Sequence, residues 1–185
     1  MQVKNNSETY GLPSRALHWG MAVAIVAMFA LGVWMVTLDY YSPYYRLAPD
    51  IHRGTGILLL GLLTLRFVWR LFNVDPDRNQ LTRIERRGAE LAHWGFYPLL
   101  LALMGSGYFI STADGRPIDV FGLFSVPAMI KSPGMEQAAG AIHEVLAYLT
   151  MALAALHALA ALKHHLIDRD RTLLRMLRSG PTSLS

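Results

Sequence analysis

Long apolar runs alternate with short polar stretches along this chain. Four runs, at about residues 14–38, 50–72, 90–111 and 135–166, reach the roughly 20 residues needed to cross a hydrocarbon core. Their composition is helical, and their boundaries carry helix signals. Pro13-Ser14 offers a start with Ser14 as cap, and Pro49-Asp50 offers another with Asp50 as cap. The third run contains Pro98 and Gly105-Ser106-Gly107, breakers that membrane helices tolerate where neighbours satisfy the freed backbone groups. The fourth, rich in Ala and Leu, is long enough to project beyond the lipid. The first apolar run is longer than the core of a signal peptide and no small-x-small cleavage pattern follows it, so it reads as a retained span. The expected fold is all-α: an integral membrane four-helix bundle forming a single domain over residues 1–185.

Between the spans, charge sets the orientation. Lys4 and Arg15 precede the first; Arg66, Arg70, Arg78, Arg83, Arg86 and Arg87 surround the connection from second to third; Lys163, Arg169, Arg171, Arg175 and Arg178 close the chain. Of the 17 Lys and Arg, this leaves Arg46, Arg53, Arg116 and Lys131 for the other side. The richer side belongs in the cytoplasm, which places both termini there. Tyr40, Tyr41, Tyr44 and Tyr45 then suit an outer aromatic belt, and Trp19, Trp69 and Trp94 an inner one. The loop over 112–134 becomes an ordered periplasmic cap with room for a short helix.

Composition narrows the chemistry. Hydrophobic residues make up 53% of the chain and charged ones 16%, against about 25% in soluble domains. A net charge of +4 and a pI near 9.6 would suggest nucleic acid in a soluble protein; here the basic residues flank spans, so the partner is membrane lipid and not nucleic acid. Cysteine is absent, which excludes disulfides, thiolate-ligated iron–sulfur clusters and CxxCH haem attachment. A metal must be held by His, carboxylate or Met.

The histidines supply the candidates, because an ionisable group at membrane depth is a functional-site hypothesis by default. His18 lies about one turn into the first span and His52 opens the second. His143 and His157 lie 14 residues apart on the fourth, about 21 Å of rise and within roughly 40° of one another around the helix. One face of that helix therefore presents an imidazole near each side of the membrane. His52 matches His143 in depth, and His18 matches His157. Two bis-histidine sites stacked across a bilayer are what two b-type haems require. Gly56, Gly140, Ala147, Ala22, Ala154, Ala160 and Ala161 flank these positions and leave room for a flat macrocycle, although ordinary small-residue packing gives the same pattern. His93 and His164 are candidates for a haem propionate or quinone contact, with a packed or solvated histidine as the plainer alternative. Trp19 is a further quinone candidate from depth alone, and Arg53 a propionate partner or an exposed charge.

The chain resembles the bacterial cytochrome b561 family over nearly its whole length. The residues that carry the resemblance are Leu17-His18-Trp19, Ala48-Pro49-Asp50-Ile51-His52 with Gly54 and Gly56, Leu91-Ala92-His93, Ile142-His143-Glu144, Leu156-His157-Ala158 and Lys163-His164-His165. Ser111-Thr112-Ala113-Asp114-Gly115 before Phe121-Gly122-Leu123 looks like one subgroup. The resemblance implies a four-helix di-haem cytochrome of the bacterial inner membrane, exchanging electrons with the ubiquinone pool. Carried over, its ligands are His18, His52, His143 and His157. It also implies a periplasmic donor of unspecified kind, superoxide being one associated with the family, and so a quinone-linked oxidoreductase. Two alternatives stay open: a haem-bearing anchor subunit of a periplasmic oxidoreductase such as a hydrogenase, and a histidine-lined transporter of ions or protons. The transporter would want intramembrane carboxylates beside the imidazoles, and Glu90 and Glu144 are the near candidates.

Overall fold

A computed structural model describes residues 2–77 and 81–178, so Arg78 lies outside the described residues. Within them the chain runs α1 (Leu12–Met35), α2 (Leu47–Leu71), α3 (Arg83–Thr112), β1 (Ile118–Val120), β2 (Phe124–Val126), α4 (Met135–Leu166) and α5 (Leu174–Leu177). Three helices, α1, α2 and α4, are long and apolar enough to cross a membrane. Large apolar side chains stand exposed along them, Val23, Val26, Leu65 and Leu156 among them, as suits a helical membrane protein whose outer face meets lipid.

The helix starts depart from expectation in an instructive way. Helix α1 begins at Leu12 with Gly11 as N-cap and Pro13 in its first turn, where proline's missing N–H costs nothing. Ser14 is therefore not the cap; its hydroxyl donates to Asn5 Oδ1 at 2.7 Å and accepts from Trp69 Nε1 at 2.9 Å. Helix α2 starts at Leu47, before Pro49, so Asp50 lies inside its first turn and pairs with Arg53. Helix α3 starts at Arg83, well ahead of the expected residue 90. Thr82 and Glu85 form a reciprocal capping box that satisfies its first free amides. Helix α4 has the expected bounds.

The loop after α3 folds as an antiparallel hairpin, not as a short helix. Ile118 faces Val126 and Val120 faces Phe124. Phe121 and Gly122 take consecutive positive φ values of 55° and 71°, the backbone hand that closes a hairpin turn. Strand β1 packs on α2 with Val120 fully buried, and Phe121 lies against Gly54, where a Cβ would meet its ring at 2.9 Å.

Inside the helical layer, Met21, Leu63 and Leu100 form the buried cluster, flanked by Ile25, Phe96, Tyr97, Leu103 and Met104. Helix α4 packs closely on α3, and α2 packs on α1 and α3. Towards α1 and α2 the backbone of α4 stands off, and pairs of rings bridge the gap: His18 with His157, Phe29 with Tyr148, His52 with His143.

Candidate functional site: two histidine pairs

The four histidines singled out by depth meet two by two. Ring centroids lie 6.1 Å apart between His18 of α1 and His157 of α4, and again 6.1 Å apart between His52 of α2 and His143 of α4. Two imidazoles bonded at about 2 Å to opposite sides of one metal have centroids roughly 6 Å apart. Neutral imidazole is the ligand form that haem iron takes. The donor set and its spacing therefore fit one haem iron per pair.

The second pair is held by backbone. Leu103 of α3 accepts a hydrogen bond from His143 Nδ1 at 2.9 Å, with Ser106 Oγ 3.1 Å from the same nitrogen. That contact fixes the tautomer with the proton on Nδ1 and leaves Nε2 free to bind a metal, the usual arrangement around a ligating histidine. Gly107 makes the approach possible: a Cβ there would sit 3.1 Å from His143 Cε1. On the facing helix, Gly32 does the same for His52, whose Cε1 lies 3.2 Å from where a Cβ would be. His52 Nδ1 is buried without a hydrogen-bond partner, an unsatisfied state that a native site retains for a reason. Beside the pair, a side chain at Gly56 or Gly140 would meet nothing within 4 Å, so these positions border open space.

The first pair has a more polar surround. Arg66 of α2 reaches His18, its Nη2 2.9 Å from Nδ1. His93 of α3 lies with its ring 5.3 Å from that of His157, and Phe96 5.8 Å from the same ring. Trp19 stacks edge-on to His18 at 5.2 Å, and its Nε1 donates to the Met176 carbonyl at 3.0 Å, tying α1 to α5. His164 lies apart from both pairs, in a carboxylate cluster at the end of α4. Arg53 pairs with Asp50 on the exposed start of α2, and Glu90 pairs with Arg86 at 3.2 Å, away from the imidazoles.

Two contributors escaped the sequence reading. Arg66 counted there as a topology charge; its placement one helix away from His18 is a tertiary fact. The Leu103 carbonyl has no side-chain signature at all. Gly107, by contrast, stood out in the sequence as a breaker, and its use is the close approach of an imidazole.

A family model described as prokaryotic cytochrome b561 matches residues 9–179. The chain is 46% identical over 182 residues to cytochrome b561 homolog 2 of Escherichia coli K12, covering 96% of this chain and 95% of that protein. It is 29% identical over 163 residues to the probable superoxide oxidase CybB of Yersinia pestis, covering 87% and 91% respectively. Cytochrome b561 homolog 1 of the same Escherichia coli strain is 28% identical over 162 residues.

Proposed function

The chain belongs to the prokaryotic cytochrome b561 family, membrane proteins that transfer electrons by b-type haem, and on that premise we propose that it carries electrons across the bacterial inner membrane through two haems b. The observation that carries this reading is the repetition of one geometry: imidazole pairs with equal 6.1 Å spacing, 14 residues apart along α4. Helix α3 completes the bundle as a fourth span. Its first turns, with Arg83, Glu85, Arg86 and Arg87, stand outside the lipid, and both termini lie in the cytoplasm by the excess of basic residues.

When bound, a haem supplies an iron that takes up and releases one electron. Around it the chain's own residues do the rest. His52 and His143 hold the group near the hairpin side, and His18 and His157 hold the other. The Leu103 carbonyl keeps His143 in the tautomer that presents Nε2. The Arg66 guanidinium, 2.9 Å from His18 Nδ1, would supply a positive charge beside a group held there. Met21, Leu63 and Leu100 form a buried apolar cluster within the helical layer.

Electrons enter at the hairpin side, with superoxide as the donor favoured by the name of the Yersinia relative, and leave by way of His18 and His157 to ubiquinone. His93, beside His157, and Trp19, beside His18, border that exit. The test is haem stoichiometry on detergent-purified protein. His143→Ala and His157→Ala should each leave one haem per chain, with the reduced-minus-oxidised spectrum halved. A double variant that keeps both haems would sink the assignment.

A further inference from the structure

The hairpin between α3 and α4 is apolar where hairpins are ordinarily polar. Its tip runs Val120-Phe121-Gly122-Leu123-Phe124, and the two residues at positive φ are Phe121 and Gly122. Turns of this hand favour Asn-Gly or Asp-Gly. The charged residues stand further back: Asp114 pairs with Arg116 at 2.5 Å, and Asp119 Oδ2 accepts the Gly122 amide at 2.9 Å. Leu123 is 78% exposed and Phe124 49%, although Phe124 shares the hairpin face of its cross-strand partner, the fully buried Val120. Tyr108 of α3 holds the returning chain in place, its hydroxyl donating to the Pro127 carbonyl and accepting from the Met129 amide, both at 2.8 Å.

Helix α2 shows which way this tip faces. His52 points into the bundle, towards His143 and Gly32. Gly54, two residues on, points about 160° away from it. Leu47, Leu58 and Leu65 fall within about 40° of Gly54 around the helix, and all three are exposed. The buried Ala48, Leu59 and Leu63 lie about 120° or more from it. Gly54 thus occupies the lipid-facing stripe of α2, yet it is buried, and the three atoms nearest to a Cβ there all belong to the Phe121 ring. The hairpin therefore lies over the outer side of α2. Its depth follows from the same contact, because Gly54 stands about 10 Å of helix rise beyond Leu47. Tyr44 and Tyr45, which lead into α2 and are exposed, suit an interfacial aromatic band. The Phe121 ring lies further along α2 than they do.

We infer that the hairpin tip is a lipid-binding element, with Leu123 and Phe124 buried among the acyl chains just below the headgroups while Asp114 and Arg116 stay in water. The occupant is lipid because the tip is continuous with the exposed leucines of α2, and an apolar surface alongside a membrane span meets the same solvent as that span. An apolar tip behind a charged base is also the polarity gradient of the headgroup–acyl boundary, which interfacial segments enter to about 5–10 Å. Phe121, seated on Gly54, holds the tip at that level. The inference rests on the membrane character of α2 and is independent of which side of the membrane the hairpin occupies.

Because the chain contains no cysteine, a single introduced thiol takes a fluorophore at one place only. Leu123→Cys and Arg116→Cys are labelled with an environment-sensitive dye in full-length, haem-loaded protein and placed in phosphatidylcholine nanodiscs at one chain per disc. That dilution leaves lipid or water as the occupants. Each sample is quenched by iodide from water and, separately, by lipid carrying a nitroxide at acyl carbon 5, and is compared with its own unquenched signal. The label at 123 is expected to lose at least half its intensity to the nitroxide lipid and to be quenched by iodide at least threefold less than the label at 116. The haem spectrum reports folding, and Phe124→Cys decides the matter if Leu123→Cys loses haem. Equal iodide quenching at 123 and 116, with no quenching by the nitroxide lipid, overturns the inference and makes the tip a surface for another protein.

Discussion

Two glycines on α3, two residues apart, allow a clean experiment on what holds His143. A Cβ at Gly105 would meet nothing within 4 Å, whereas one at Gly107 would sit 3.1 Å from His143 Cε1 and 3.3 Å from its Nδ1. Both changes to alanine gain the same helix propensity, up to about 1 kcal/mol, so that term cancels between them. What remains is the imidazole. At 3.1 Å it must give way by a few tenths of an ångström. The Nδ1 contact to the Leu103 carbonyl, now 2.9 Å, is then stretched towards the end of the hydrogen-bonding range, about 3.2 Å. Such a bond contributes about 1 kcal/mol, and losing the partner that orients a metal-bound imidazole typically costs 10–100-fold in affinity. In a His157→Ala background, where one haem remains, Gly107→Ala should release that haem to excess apo-globin about ten times faster than Gly105→Ala. Equal release rates for the two variants would refute the role given to Gly107 and the Leu103 carbonyl.

Arg66→Gln removes a positive charge next to His18, which favours the oxidised and more positive form of that site. The interaction is about 1–2 kcal/mol at an effective dielectric of 20, so redox titration should find one of two midpoint potentials lowered by roughly tens of millivolts; a rise, or no change, would contradict the placement. Glu85 is pulled down to about 2 by hydrogen bonds from Lys163 and then from the Thr82 hydroxyl and amide. A depressed carboxyl stabilises the fold above its ordinary range and loses that contribution as pH falls to about 2. The protection factors of the amides over residues 83–86, with the intrinsic exchange rate divided out, should therefore fall between about pH 4.5 and 2 in wild type and lose that pH dependence in Glu85→Gln. Thr82→Ala removes the other half of the capping box and should cost about 1 kcal/mol, read as faster exchange over the same turn. Gly54→Ala drives a Cβ into the Phe121 ring, so protease cleavage at Arg116 and Lys131 should accelerate, and Phe121→Ala should restore the wild-type rate.

Much of this architecture is legible in the sequence. Helix α4 announces itself by a long Ala- and Leu-rich apolar run, and its two histidines declare a common face because helical periodicity is rigid over four turns. The first turns of α3 were not legible. Hydropathy marks what lipid solvates, and residues 83–89 form a helix for another reason, the capping box at Thr82. The hairpin escaped because three-residue strands are too short to show an alternation. His93 had no partner by depth alone, since depth pairs residues one to one and the fold gathers His18, His93 and His157 at one end. Arg66 was counted as a loop-side charge because no linear pattern tells which helical neighbour a long side chain will reach.

The two histidine pairs share one helix, and that has a bearing on how the protein is made. His18 and His52 leave the ribosome early and find their partners only when α4 follows, with His157 arriving 139 residues after His18. Even Trp19, in the first helix, waits for the carbonyl of Met176. A chain interrupted after α3 would hold half of each pair and complete neither. On the proposed ligand assignment, cofactor capture would be tied to the last insertion event, and a truncated product would emerge without haem at either position.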